Sequence, residues 1–141
     1  MEWLTIEPQT DPRELFEFGV RLHGHRGPFL AAGVRMGLLA LRLLESRGFT
    51  GITAEAETGT KPPVSCLVDG LQASTGCTVG KGNLRVRDGG RPAARFKDGE
   101  REVYISLREE VAQALIDEGA CEAMVEWVLT APEEELFTWE L

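Results

Sequence analysis

The chain has 141 residues, 43% of them apolar and 27% charged, the balance of one soluble globular domain able to bury a core of its own. A net charge of -8 argues against a phosphate-backbone partner, which needs a basic surface, so no nucleic acid is expected. The longest apolar stretch, Phe29 to Leu44, carries Arg35 and Arg42 and is too short to cross a bilayer, so no membrane partner is expected either.

Met1-Glu2-Trp3-Leu4-Thr5 lacks the basic-then-apolar pattern of a secretory signal, and three cysteines at irregular spacing make no disulfide framework. A cytoplasmic address is the expectation. Asp11-Pro12-Arg13-Glu14 predicts a helix start, with an N-cap, a first-turn proline and a glutamate placed for a capping box. Leu15, Phe18 and Leu22 follow at helical spacing and predict a buried stripe that leads up to His23.

Leu22-His23-Gly24-His25-Arg26-Gly27-Pro28 then holds the only two histidines in the chain. Residues two apart lie on different sides of a helix, so His23 and His25 converge only where the backbone turns. Gly24 supplies that freedom and Pro28 opens the next helix. Paired imidazoles of this kind suit a metal or proton-transfer site, and equally a polar interhelical turn.

The second helix, about Pro28 to Arg47, is apolar around most of its circumference and is expected to end at Gly48. Ala32, Gly33, Gly37 and Ala40 keep part of its surface thin, which predicts a central helix or a subunit interface. Arg35 and Arg42 share one face and could meet an acidic partner or ligand. Ile52 to Glu57 alternates as a strand does, Thr58 to Pro63 is a loop, and a short helix runs from about Cys66 to Ser74.

Asn83–Arg87, Ala93–Lys97 and Glu102–Ser106 predict three strands, and the turns Asp88-Gly89-Gly90 and Asp98-Gly99 predict an antiparallel meander. Ser106-Leu107-Arg108-Glu109 resembles a second capping box, opening a helix that runs to Gly119. A final helix from about Cys121 to Leu129 precedes an acidic tail, Glu133-Glu134-Glu135, that ends with Trp139. The class is α+β, one domain over residues 1–141, an antiparallel sheet packed with helices.

Cys66 stands where a proline-rich loop meets a helix N-terminus, whose free N–H groups favour thiolate over thiol. A buried cysteine acting as a small hydrophobe is the alternative. With both histidines in view, His23, His25 and Cys66 read as a three-ligand set with an open fourth position, as in a catalytic zinc site. Asp69, one turn on, could add an oxygen or orient a histidine. Cys77 lies roughly 16 Å further along if the helix is regular, so it joins another feature, a site across a dimer, or the core.

Gly76-Cys77-Thr78-Val79-Gly80-Lys81-Gly82-Asn83 fails as a phosphate-binding loop, because its glycine spacing is one short and Gly82 stands where Ser or Thr should bind magnesium. It leaves a glycine-rich turn in which Lys81 could hold an anion, or a plain connecting loop. Cys121 is expected in the core.

Four segments in this order, Leu22–Pro28, Gly33-Val34-Arg35, Cys66-Leu67-Val68-Asp69-Gly70-Leu71-Gln72 and Thr75–Asn83, resemble the formylmethanofuran dehydrogenase E-subunit-like family over roughly residues 12 to 110. The resemblance implies an α+β core domain that dimerises, with a cleft lined by the histidine and cysteine motifs that binds a metal such as zinc. It sets His23 and His25 against the family's histidine pair, Cys66 and Asp69 against its C-x-x-D segment, and Cys77 and Lys81 against its glycine-rich loop. Two positions depart: Gly27 stands where relatives commonly carry a cysteine, and Phe29 where a glycine usually follows the proline. The cysteine-rich zinc finger that some relatives append is missing, so one metal site per chain is expected.

The expectation is thus a homodimeric zinc-binding protein (or one using another divalent transition metal), acting in redox or one-carbon metabolism. His23, His25 and Cys66 are its ligands, with Asp69 behind them and Cys77 as an alternative. As an enzyme it would use Cys66 and Lys81 in catalysis, with Arg35 or Lys81 holding an acidic substrate. The alternative is a non-catalytic metal carrier or an accessory module docking on a larger oxidoreductase. A scaffold whose site has decayed is a third reading, and Gly27 is its argument.

Overall fold

The computed structural model describes residues 2–141. Asp11 caps α1 (Pro12–His23) by accepting the Arg13 N–H at 3.0 Å. The inward face of α1 carries Phe16, Gly19 and His23 at helical spacing; Phe16 is fully buried. Leu15 is only half-buried, while Phe18 and Leu22 are 59% and 56% exposed, so the expected stripe faces outward. Both stripes have helical spacing. Gly19 decides between them, because its bare Cα lets α1 approach Ala73 and Leu30 closely.

The chain then builds its centre, α2 (Pro28–Leu44), of which only Arg35, Arg42 and Leu43 are not buried. The helix stops at Glu45, whose backbone turns left-handed (φ 53°), three residues before the expected glycine. Beyond the end of α2 come β1 (Ile52–Ala56) and α3 (Cys66–Thr75), and α3 lies along the small-residue stripe of α2. A Cβ on Gly70 would sit 2.7 Å from the Val34 nitrogen and 2.8 Å from the Gly33 Cα. The stripe expected to mark a central helix or an interface is therefore a helix–helix seam within the chain.

The remaining elements are β2 (Leu84–Val86), β3 (Ala93–Asp98), β4 (Arg101–Leu107), α4 (Glu109–Glu118), α5 (Glu122–Thr130), α6 (Glu133–Leu136) and β5 (Phe137–Glu140). The five strands form one sheet in the order β2-β1-β3-β4-β5, antiparallel except where β2 lies parallel to β1. One face is buried through Ile52, Ala54, Phe96, Val103 and Ile105, and packs on α2 through β3 and β4. The other is polar and open; on it Arg95 stacks over Tyr104 at 5.0 Å, and the Tyr104 hydroxyl donates to Glu57 at 2.5 Å. Burial and that carboxylate push the Tyr104 phenol up from its ordinary value.

The expected meander is corrected here. Only its second hairpin, β3–β4, forms; β1 enters between β2 and β3. The 88–90 turn runs past the end of β1, tied by Gly59 N–H to Arg87 O at 2.7 Å and Arg91 N–H to Glu57 O at 3.0 Å. β1 takes the interior place because three of its residues, Ile52, Ala54 and Ala56, are apolar on one face, whereas three-residue β2 buries only Leu84.

Two more expectations change. Ser106 belongs to β4 and caps nothing, since α4 begins after an extended Arg108 without a side-chain cap. The acidic tail is a helical turn followed by a strand: Phe137 lies opposite Leu107 and Trp139 opposite Ile105, an alternation the three glutamates mask. Among the described residues no helix is long and apolar enough to cross a membrane.

Candidate functional site

The histidine turn is built by two helix ends. Gly24 ends α1 in the left-handed region (φ 86°), where its N–H donates to Val20 O at 2.7 Å; Gly27 is extended before Pro28 at the start of α2. Arg26 pins the turn, donating to Glu17 at 2.5 Å and to Glu122 at 2.7 Å while covering the Phe16 ring at 5.0 Å.

His23 faces α3. Its Nδ1 lies 2.5 Å from Asp69 Oδ2, and Gln72 Nε2 donates to Asp69 Oδ1 at 3.0 Å. This relay fixes the ring and leaves Nε2 facing away from α3, the arrangement that carboxylates give to metal-binding histidines. His23, His25 and Cys66 line one cavity of about 230 Å³, walled by Pro62 and Pro63 on one side and Leu115, Ile116 and Gly119 at the end of α4 on the other. Four larger surface clefts, of about 710, 620, 410 and 280 Å³, hold no histidine or cysteine, and the two largest open on charged side chains such as Arg101 and Glu110. The chemistry is concentrated in the small one.

The donor types in this cavity fit a borderline divalent metal, but their placement falls short of a formed site. Among the described residues no three His, Cys, Asp or Glu side chains are grouped closely enough to hold an ion. His25 is exposed, on a turn bounded by two glycines, so it is the donor with freedom to swing inward.

Cys66 begins α3 as expected, yet burial and the neighbouring Asp69 carboxylate push its thiol above the ordinary value, against the pull of the helix end. In metal-free protein near neutral pH, alkylation of Cys66 is expected to be slower than that of a free thiol and to go on quickening with pH after a free thiol's rate has levelled off. Asp69→Asn removes a nearby negative charge, lowers the thiol's value and should speed the reaction; peptide mapping after timed iodoacetamide treatment reads it. An unchanged Cys66 rate in that variant would mean that the carboxylate does not act on the thiol.

The other residues singled out in the sequence lie elsewhere. Arg35 donates to Val128 O at 2.8 Å, joining α2 to α5; burial lowers its pKa. Lys81 turns back on its own loop, donating to Gly76 O at 2.6 Å and Thr78 Oγ1 at 3.1 Å. Asn83 closes that loop, accepting from Thr78 N–H and donating to Phe49 O and Ile52 O. Cys77 is fully buried in the core with its thiol 3.7 Å from Ile52 O, and Cys121 precedes α5 without a side-chain capping bond, half-buried rather than in the core.

Sequence reasoning gave Gln72 no role, although it stands three residues after Asp69, on the same helix face. It also missed the α4 wall, for which no local signal exists.

The family model described as FmdE, molybdenum formylmethanofuran dehydrogenase operon, matches residues 22–138. The chain belongs to the FmdE family. Its fold is that of a tungsten formylmethanofuran dehydrogenase FmdE-like protein from Syntrophus aciditrophicus, with a TM-score of 0.74 and 22% identity over 99% of this chain and 76% of that one. A probable S-adenosyl-L-methionine-binding protein of Archaeoglobus fulgidus is 33% identical over 93 residues, 61% of this chain. The matched stretch covers only 24% of that relative. The FmdE match takes in the histidine turn, Cys66, Asp69 and the α4 wall together.

Proposed function

We propose that this FmdE-family chain is a metal-binding module, with His23 Nε2, His25 and Cys66 as ligands for zinc or another divalent transition metal. The observation that carries the reading is the Gln72–Asp69–His23 relay, which presents one imidazole to a cavity that His25 and Cys66 also line. A bound metal would supply a Lewis acid at an open position. The chain's own part is to fix His23, to deliver a thiol that must lose its proton on binding, and to bring His25 inward.

Metal content of protein purified without an affinity tag, after incubation with zinc, tests this. About one equivalent per chain is expected, lost in His23→Ala, His25→Ala and Cys66→Ala while circular dichroism stays unchanged. A metal-free wild type would sink the reading. Gly27→Cys bears on the decayed-site alternative: a Cβ there meets only the His25 ring, at 3.6 Å or more, so a fourth donor fits without strain. Tighter binding in that variant would mark the present site as one ligand short.

A second reading, an accessory module on a larger oxidoreductase, is favoured by the family's dehydrogenase-operon description and by exposed Phe18 and Leu22 on α1. The same apolar pair suits a homodimer. Sedimentation of the isolated chain separates the two, since self-association favours the homodimer and a metal-loaded monomer the accessory role. Binding of S-adenosyl-L-methionine, the ligand named for the archaeal relative, is the weaker reading. At about 230 Å³ the cavity falls below the roughly 300 Å³ at which pockets for drug-sized ligands begin.

A further inference from the structure

The cavity beside His23 is chemically lopsided. Its polar side chains are His23, His25 and Cys66, and the rest of the lining, Phe29, Leu115 and Ile116 included, offers no charged side chain at all. Of the two cations next to lining residues in the chain, Arg26 is committed to Glu17 and Glu122 and Lys61 lines a separate cleft with Thr58 and Asp88, while Lys81 and Arg35 are bound elsewhere. Directly behind His23 stands the Asp69 carboxylate, in a chain whose net charge is -8. An anion entering this space would lose water, meet no fixed positive partner and approach a negative field.

Size narrows the occupant further. About 230 Å³ holds roughly seven water-sized groups. Phe29 is 2% exposed and Leu115 1%, so the floor of the cavity belongs to the core and gives a body of a few carbons something firm to pack on, while Pro62, Pro63 and Ile116 form an exposed rim.

We infer that the cavity binds small uncharged molecules with one hydrogen-bonding head group and a short apolar body, and rejects the matching carboxylates. The head group meets the two imidazoles and the thiol; the body lies between Pro62-Pro63 and the end of α4. This deepens the reading of the cavity given above, but it rests on the lining and not on a metal.

The test uses metal-free wild-type chain at one fixed, mildly alkaline pH. With only two histidines, their Cε1–H signals in NMR are two reporters of the cavity. Isobutyramide is expected to shift both signals saturably, and isobutyrate to bind roughly tenfold more weakly or worse. Ala120→Trp, at an exposed position on the rim, should abolish the amide response with an unchanged melting temperature.

Equal or tighter binding of isobutyrate would overturn the inference. So would still histidine signals up to the solubility limit of the amide, or a full response in a folded Ala120→Trp. Failure here is separable from failure of the metal reading. Metal retained without an amide response overturns only this inference, and an amide response in a chain that never takes up zinc overturns only the metal proposal.

Discussion

Gly70→Ala is expected to destabilise the fold by about 3 kcal/mol or more, the upper range for overpacking a tight contact. Helix propensity alone predicts the opposite sign, since alanine favours an interior helical position over glycine by about 1 kcal/mol. Packing wins because the atoms in the way are backbone: the Val34 nitrogen at 2.7 Å, the Gly33 Cα at 2.8 Å and, closer still, the Leu30 carbonyl. None of these can rotate aside, so α2 and α3 must separate, and the seam that orients Cys66 and Asp69 toward His23 opens with them. Gly80→Ala, where an added Cβ meets nothing within 4 Å, is the control and should change stability by under about 1 kcal/mol. Urea denaturation of both variants reads the difference. A Gly70→Ala variant as stable as wild type would show that the seam is looser than described.

The second large effect concerns Asp69. If His23 ligates metal through Nε2, then Asp69→Ala is expected to weaken metal affinity by about 10- to 100-fold while leaving one equivalent bound at saturation. The carboxylate, 2.5 Å from His23 Nδ1, fixes which nitrogen carries the proton and makes the other a better donor. Gln72→Ala removes the 3.0 Å bond to Asp69 and should have a smaller effect in the same direction. Competition against a chelator of known affinity gives both values. Unchanged affinity in Asp69→Ala would mean that the relay is a structural tie and that His23 binds no metal through it. Complete loss of metal would instead make Asp69 a ligand.

The two predictions meet at the same place in the fold. The helix seam sets where α3 begins, and the first turn of α3 supplies both the thiol and the carboxylate of the site. A cavity so small tolerates little displacement, so destabilised seam variants should lose site function before they unfold.

By itself, the sequence determined the elements up to α5, though not α6 and β5, and named the polar side chains of the cavity. The apolar circumference of Pro28–Leu44 called for a helix covered either at the centre or at an interface, Gly24 and Pro28 called for a turn at the histidines, and the 3.6-residue period put Cys66 and Asp69 on one helix face. These are local properties of the chain, set by backbone sterics and side-chain spacing within a few residues.

Tertiary structure decided what those properties leave equivalent. Leu15-Phe18-Leu22 and Phe16-Gly19-His23 have the same helical spacing, and only the space beside Ala73 and Leu30 selects the second. The 83–87 and 93–97 stretches both read as strands, yet β1 comes between them because its apolar face of Ile52, Ala54 and Ala56 is buried where β2 buries only Leu84. The free lysine and arginine of the sequence found partners in their own loop and in α5, and the end of α4 closed the cavity from ninety residues away. Pairing and packing compare distant segments for one place in space, and that comparison is not written in the spacing of any one of them.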